Sequence, residues 1–188
     1  MCGRYIANSE DEIMEIREIL KQISIRLVET GGQCPPLQEI FPTHEVMLIT
    51  AAFELVRGKF GLEKWDKKGV IINARSENYE NNYFRQFAKN RCLIPAHGYF
   101  EWQKNEDKTK IKYAIKSREK HGIFMAGIYN KNNEFAVITK PAELEISAIH
   151  PRMPLIIPSA QAEAWLNGQA RVMELAEQKS ELFFEKAG

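Results

Sequence analysis

The chain opens with Met1-Cys2-Gly3-Arg4-Tyr5, and the rest of the sequence is organised around this stretch. Cys2 and Gly3 are small, so we expect removal of the initiator methionine, which leaves Cys2 with a free α-amine beside its thiol. An α-amine has a pKa near 7.7–8.0, against about 10.4 for lysine, so at neutral pH it is far more often uncharged and nucleophilic. It can condense with an aldehyde to an imine, and the thiol can then close a five-membered thiazolidine. The alternative is that Cys2 is a small apolar residue at the start of a first strand.

Four further motifs follow in order along the chain: Ile72-Asn73-Ala74-Arg75-Ser76-Glu77, Arg91-Cys92-Leu93-Ile94-Pro95, Gly98-Tyr99-Phe100-Glu101-Trp102 and Ile149-His150-Pro151-Arg152-Met153-Pro154. Together with the opening five residues, they make the chain resemble the SOS-response-associated peptidase family over nearly its whole length. The resemblance implies a protein of the DNA damage response that binds single-stranded DNA and joins its N-terminal cysteine covalently to an abasic site. The expected partner is therefore single-stranded DNA that contains abasic sites, and no cofactor is implied.

Capture of an abasic sugar requires proton transfer, because the closed hemiacetal must open and the carbinolamine must lose water. Beside the nucleophile Cys2, we expect Glu101 and His150 to move these protons. The apolar neighbours of Glu101 favour its neutral form, and histidine titrates near neutral pH. Asn73 can position the amine or the lesion oxygen. In the simplest alternative, Glu101 faces solvent, and His150 and Asn73 are ordinary turn residues.

The DNA contacts implied by the resemblance involve arginines and apolar side chains. Arg4, Arg75 and Arg152 are planar, permanently charged forks that suit phosphates, although they could equally be salt-bridge partners. The remaining expected contacts are Pro42, Phe60, Trp65 and Met153, with Trp102 also available for stacking. The family pattern Trp-Gly-Leu-Ile-Pro followed by Trp here becomes a stretch with charges at the Ile-Pro positions, Phe60-Gly61-Leu62-Glu63-Lys64-Trp65.

Length and composition indicate an ordinary globular protein. The 188 residues suit one domain spanning 1–188, and a net charge of +1 argues against indiscriminate coating of nucleic acid. Without a signal-like or membrane-spanning apolar run, we expect a cytoplasmic protein with no membrane association. We also expect a monomer. The cysteines Cys2, Cys34 and Cys92 lack C-x-x-C spacing, so we expect free thiols and no metal site.

Periodicity predicts an α+β fold, a single domain with a curved or barrel-like, mostly antiparallel sheet and peripheral helices. The predicted strands are 46–56, 70–72, 93–94, 99–100, 111–116, 124–128, 135–139 and 155–157, with turns at 57–59, 95–98 and 130–133. The predicted helices are 10–22, 78–89, one that starts at Pro158-Ser159 and ends at Gly168, and 172–184, with a loop at 31–36.

Two other functions fit parts of the sequence. Cys2, His150 and Asn73 are the residue types of a Cys-His-Asn triad, so a thiol peptidase that processes its own N-terminus is one alternative. A non-covalent single-stranded DNA binding module is the other. Such a module would need the arginines and aromatic residues but would not depend on Cys2.

Overall fold

The computed structural model describes residues 3–8, 12, 16, 39–79, 82–118 and 122–187. The strands in these ranges are β1 Arg4–Ala7, β2 Glu39–Ile40, β3 Glu45–Ile49, β4 Leu55–Phe60, β5 Leu62–Glu63, β6 Val70–Ile71, β7 Asn73–Arg75, β8 Arg91–Lys104, β9 Lys110–Ser117, β10 Ile123–Tyr129, β11 Glu134–Pro141, β12 Arg152–Pro154 and β13 Leu182–Lys186. The α-helices are α1 Leu144–Ser147, α2 Ala162–Leu166 and α3 Val172–Glu177, and short 3-10 turns cover Ala51–Phe53, Asn82–Phe87 and Ser159–Gln161.

Five of these strands close a barrel in the order β10, β11, β4, β3 and β8, because β8 pairs back onto β10. Only the β11–β4 contact in this ring is parallel. Strands β1 and β9 extend the sheet from β8, while β7 and β12 flank β11. The predicted α+β class, with a barrel-like and mostly antiparallel sheet and helices at its edges, is confirmed.

The core divides into two layers because side chains alternate between the faces of a strand. One buried cluster takes Leu48, Ile94, Met125 and Val137 from the barrel strands and therefore fills the interior. The other takes the alternate residues and packs them under α2 and α3, with Trp165 fully buried. The barrel interior is tight at Gly127, where a Cβ would lie 2.6 Å from Ile94 Cδ1.

Strand β8 differs most from expectation. The predicted turn at 95–98 does not form, and Arg91–Lys104 is one continuous strand. Leu93 pairs with β3, and the pairing of β8 with β1 begins at Ala96. Pro95 lies between these two positions, so the absence of a backbone N–H is tolerated there. Gly98 marks a close approach of strands, because a Cβ would lie 2.4 Å from the Ile115 carbonyl oxygen. β8 consequently contributes to the barrel wall at one end and to the extended sheet at the other.

The predicted strand 46–56 and turn 57–59 are also wrong. The chain turns earlier, at Ala51–Phe53, where the Thr50 backbone N–H donates to the Glu54 carbonyl at 2.9 Å. Gly58 lies within β4 because its position faces Leu48, whose Cδ1 would be 2.3 Å from an added Cβ. The glycine that suggested a turn therefore reflects close packing.

Three further boundaries shift. The strand expected at 70–72 ends at Ile71 as β6, and β7 begins at Asn73. The strand expected at 155–157 lies earlier, at Arg152–Pro154, and Ile156 forms a single bridge to Met125. The expected helix 172–184 ends at Glu177, and β13 then pairs with β9. Glu143 binds the Ser180 backbone N–H at 3.0 Å and so holds the chain in a non-helical path.

Of the other predictions, the β10–β11 hairpin, β9 and the helix that contains Trp165 are confirmed. The helix at 78–89 is shorter, a 3-10 turn over Asn82–Phe87, whose aromatic residues pack against the core. Apart from Glu12 and Ile16, the predicted helix 10–22 and the loop 31–36 lie outside the described residues. In the described ranges, no helix has the length and apolarity needed to span a membrane.

Candidate functional site

Glu101 and His150 lie side by side. Glu101 is on β8 and only 2% exposed, and its Oε1 is 3.8 Å from Nδ1 of the half-buried His150. The same nitrogen lies 3.1 Å from the Arg152 backbone N–H and 3.0 Å from the Arg152 carbonyl. Neutral Nδ1 can accept from that N–H, and protonated Nδ1 can donate to that carbonyl and face the carboxylate. The imidazole therefore has a suitable neighbour in either protonation state, as a proton-transfer group requires.

Gln103, which sequence reasoning missed, links the two elements of this pair. It lies two residues after Glu101 on the same strand face, and its Nε2 donates to the Ala148 carbonyl at 2.9 Å. The Tyr113 hydroxyl donates to Gln103 Oε1 at 3.2 Å and fixes the amide orientation. The segment that leads into His150 is thus attached to β8. A polar residue at alternate spacing from Glu101 was the available signal.

A cleft of about 450 Å³ opens beside the start of β1, with Gly3, Arg4, Phe41, Pro42, Trp102 and Lys110 as its lining. The Arg4 guanidinium carbon is 4.5 Å from the Phe41 ring centroid and 5.0 Å from that of Trp102. Glu39 pairs with Arg4 at 3.4 Å and with Lys112 at 2.9 Å. The expected residues Arg4 and Pro42 therefore share one cleft, and Lys110 is a lining residue that the sequence did not single out.

The register of β1 relates this cleft to the Glu101–His150 pair. Arg4 is opposite Phe100 in the β1–β8 ladder, one residue before Glu101. Because side chains alternate, Glu101 and Trp102 face opposite sides of β8. Gly3 precedes the first paired residue, so the amino-terminal end of β1 lies at the edge of the strand that carries both. Cys2 itself lies outside the described residues.

Asn73 lies at the start of β7, opposite Val137 of β11. Both polar atoms of its amide are buried, and neither has a hydrogen-bond partner among the residues that the structure describes. A buried polar group left unpaired costs about 1–3 kcal/mol, so an unsatisfied amide is unusual in a stable fold. The position has unused donor and acceptor capacity for a further group.

Arg152 and Arg75 flank Thr139 of β11. Arg152 forms a two-pronged ion pair with Glu77, with Nη2 2.9 Å from Oε2, and Nη2 also donates to the Thr139 carbonyl at 2.6 Å. The Arg152 hydrogen bonds lower the pKa of Glu77 to about 2. Arg75, opposite Thr139 in the β7–β11 ladder, has an exposed side chain. Arg152 is therefore paired with other groups of the protein, and Arg75 faces solvent.

The apolar residues expected to contact DNA separate into two groups. Trp65 lies in the loop between β5 and β6 and is 89% exposed. Phe60 and Met153 are fully buried, and Phe60 stacks on Phe135 with ring centroids 5.2 Å apart. Because a buried ring offers no face to a base, the structure gives Phe60 and Met153 packing roles instead of the expected contacts. In the divergent stretch, the backbone carbonyl of Glu63 accepts a hydrogen bond from the Tyr83 hydroxyl at 3.2 Å.

The described residues provide neither a reactive thiol nor a metal site in addition to these groups. Cys92 is fully buried, and desolvation raises the pKa of its thiol, so it is a poor nucleophile. Within the described ranges, no three His, Cys, Asp or Glu side chains come together as a metal site requires. The Glu101–His150 pair, Asn73 and the arginines are thus the described groups to which chemistry can be assigned.

Comparison with known proteins gives consistent results. The sequence is 32% identical to the abasic site processing protein YoqW of Bacillus subtilis over 186 residues, which covers 89% of this chain and 80% of the relative. It is 30% identical over 122 residues to the abasic site processing protein YedK of Escherichia coli, which covers 60% of this chain and 54% of that one.

Solved structures share the fold. A protein from Bacteroides thetaiotaomicron has a TM-score of 0.75 at 23% identity, with 98% of this chain and 91% of that chain covered. One from Bordetella bronchiseptica has a TM-score of 0.74 at 17% identity, with both chains covered completely. The sequence model described as SOS response associated peptidase (SRAP) matches residues 1–185, and the chain therefore belongs to this family.

Proposed function

We propose that the protein binds single-stranded DNA and captures abasic sites through Cys2, after removal of Met1, in a covalent thiazolidine linkage. The observation that carries the proposal is the location of Gly3. This residue, which is bonded to Cys2, lines a cleft at the edge of the strand that carries the buried Glu101. The names of the Bacillus subtilis relatives, abasic site processing proteins, support the lesion as substrate.

The proposed chemistry begins with the sugar. His150 assists opening of the hemiacetal at the ring oxygen, which exposes the aldehyde. The Cys2 amine adds to the aldehyde carbon, and Glu101 donates the proton with which the carbinolamine hydroxyl leaves as water. The Glu101 carboxylate then takes back the N–H proton of the resulting iminium, which gives the neutral imine. The Cys2 sulfur then adds to the imine carbon and its thiol proton passes to the imine nitrogen, so one water is released in total. Ring closure is intramolecular and is therefore fast once the imine has formed.

Glu101 suits this role because it is both buried and next to a base. Its Oε1 faces His150 Nδ1 at 3.8 Å, which gives a route by which the two groups exchange a proton between steps. Asn73 supplies the positioning group, since its buried amide has no hydrogen-bond partner in the described part of the chain. Its carbonyl can hold the Cys2 amine, or its NH₂ can hold the lesion oxygen.

The DNA strand is held by the arginines. In the proposal, Arg4, Arg75 and Arg152 contact phosphates on either side of the lesion, and Trp65 stacks on a base. Arg75 and Trp65 are exposed, whereas Arg4 and Arg152 are already paired with Glu39 and Glu77. Stacking on an exposed aromatic ring contributes about 1–3 kcal/mol per base.

A denaturing gel tests the covalent step. The mature protein is incubated with a single-stranded oligonucleotide that contains one abasic site, and with the same oligonucleotide intact. We expect a heat-resistant adduct only with the abasic strand. Cys2→Ala, or any residue left ahead of Cys2, should abolish it, whereas Cys2→Ser should give an imine that borohydride traps. Cys34→Ala removes a different thiol and is the matched control, which should retain the adduct.

The same experiment separates the alternatives. Cleavage of a peptide bond without any DNA adduct would favour a thiol peptidase built from Cys2, His150 and Asn73. Binding that persists in Cys2→Ala, with no adduct in the wild type, would favour a non-covalent binding module. Either result overturns covalent capture.

A further inference from the structure

The Arg152 guanidinium has two partners that differ in their exposure to solvent. On the inner side, Arg152 Nη2 donates to the carbonyl of Thr139 at 2.6 Å and lies 3.2 Å from its hydroxyl, and Thr139 is fully buried. On the outer side, the Glu77 carboxylate binds Nη1 and Nη2, and the Glu77 side chain is 39% exposed. The inner partner is therefore fixed by the sheet, and the outer partner is in contact with solvent.

A carboxylate and a phosphate present the same feature to arginine, two oxygens that accept parallel N–H donors. Glu77 therefore occupies the face of Arg152 that a DNA phosphate would use. If the carboxylate swings into solvent, the Thr139 contacts still hold the guanidinium in place. Arg152 Nε is buried and has no acceptor among the described residues, so the side chain also retains one unused donor.

We propose that Glu77 is a specificity-determining residue, a built-in competitor that covers Arg152 until a DNA phosphate displaces it and so weakens binding to undamaged strands. The inference rests on the proposed DNA function and adds an acidic residue to it. Electrostatic attraction to phosphate does not depend on base or lesion. If that attraction is partly cancelled, the protein leaves undamaged strands sooner, whereas the covalent bond retains it at the lesion.

Charge arrangement around the pair supports this role. The carboxylate is ionised at neutral pH, and the Arg152 hydrogen bonds lower the pKa of Glu77 further, to about 2. Ser76 donates to Glu77 Oε2 at 3.1 Å and further stabilises the carboxylate in this position. Arg4 shows the same arrangement, with Glu39 at 3.4 Å, and the whole chain has a net charge of only +1.

The test measures non-covalent affinity, by fluorescence anisotropy at several salt concentrations. The probes are an intact single-stranded oligonucleotide and one with a tetrahydrofuran abasic analogue, which has no aldehyde and cannot be crosslinked. We expect Glu77→Gln to bind the intact strand about two- to fivefold more tightly at low salt. Its plot of log affinity against log salt should steepen by about 0.7, because one more counterion-releasing contact is made.

Three variants sharpen the result. Glu174→Gln removes a carboxylate of α3 that pairs with Arg171, and it is the control for net charge alone. Glu77→Asp keeps the charge and should stay near the wild type. In an Arg152→Gln background, Glu77→Gln should change the affinity no more than Glu174→Gln does, because the competitor no longer has a target.

Weaker or unchanged binding of intact DNA by Glu77→Gln would overturn the inference and leave a purely structural pair. An equal gain from Glu174→Gln would also overturn it. These outcomes are independent of covalent capture, which is scored separately as adduct formation by the wild-type protein. If the wild-type protein forms the adduct but Glu77→Gln leaves the DNA affinity unchanged, only the inference about Glu77 is refuted. If the wild-type protein forms no adduct, the proposed chemistry is refuted.

Discussion

Oε1 of the buried Glu101 faces Nδ1 of His150 at 3.8 Å, although the two residues are 49 positions apart in the sequence. The carboxylate comes from near the carboxyl end of the long strand β8, and the imidazole comes from the loop that follows α1. Gln103 joins these two elements through its bond to Ala148. The pair is consequently a product of the tertiary fold, which makes its chemistry testable by substitutions that preserve shape.

We predict that Glu101→Gln slows adduct formation by about 100-fold or more, the usual contribution of a general acid or base. Glutamine fills the same buried space but cannot transfer the proton. The rate is measured from the gel at fixed times, and the affinity for the tetrahydrofuran oligonucleotide is measured in parallel. Since the change lies in proton transfer, that affinity should change little. A variant that loses affinity and rate equally would indicate a structural role for Glu101.

We predict that replacing two aromatic residues of the stretch 60–65 with alanine changes different properties, stability for one and DNA affinity for the other. Phe60→Ala removes a fully buried ring and should lower the free energy of unfolding by about 3–5 kcal/mol. Trp65→Ala removes an exposed ring and should leave stability nearly unchanged, while it weakens DNA binding by about 1–3 kcal/mol. Denaturant unfolding and anisotropy measure the two quantities. Trp65→Ala with wild-type affinity would remove this loop from the DNA-binding surface.

We predict that the Glu77–Arg152 pair makes the stability of the protein fall in the acid pH range. The pKa of Glu77 is about 2 in the folded protein, against its ordinary value of 4.5. The unfolded chain therefore binds this proton more readily than the folded one, so the stabilisation is complete above pH 4.5 and is lost as the pH falls towards 2. Between these values, Glu77→Gln should show a flatter dependence of unfolding free energy on pH than the wild type. Glu174→Gln should keep the wild-type slope.

We predict that the Cys92 thiol is unreactive in the folded protein. Burial raises the pKa of this thiol, and its sulfur is enclosed by the barrel. Iodoacetamide at neutral pH should therefore label Cys92 only after denaturation, as read by mass spectrometry of its peptide. Rapid labelling of the native protein would mean that the barrel opens around β8 and β10.

The fold class and the regular hairpin follow from the sequence, because alternation and turn residues are local signals. The continuous apolar run Phe135-Ala136-Val137-Ile138 predicts a buried strand, and the asparagines before Glu134 predict the turn that leads into it. The continuity of β8 does not follow, since Pro95 and Gly98 are turn residues on local evidence. They lie within a strand only because β10, β1 and β9 pair on either side of them.

The same limit applies to the site. Motifs identify Glu101, His150 and the arginines as candidates, but a motif does not report burial or pairing. Phe60 and Trp65 both read as stacking residues, although one is enclosed and the other is exposed. Glu77 lies inside a quoted motif, yet only the structure shows that it covers Arg152.

Because β8 runs unbroken from the barrel wall to Glu101, the carboxylate proposed to transfer protons shares a backbone with the most deeply packed part of the molecule. The two ends of this strand cannot melt as separate cooperative units. Lesion capture should then disappear on heating at the same midpoint as global unfolding. The proposed proton-transfer group on β8 therefore has the thermal tolerance of the barrel itself.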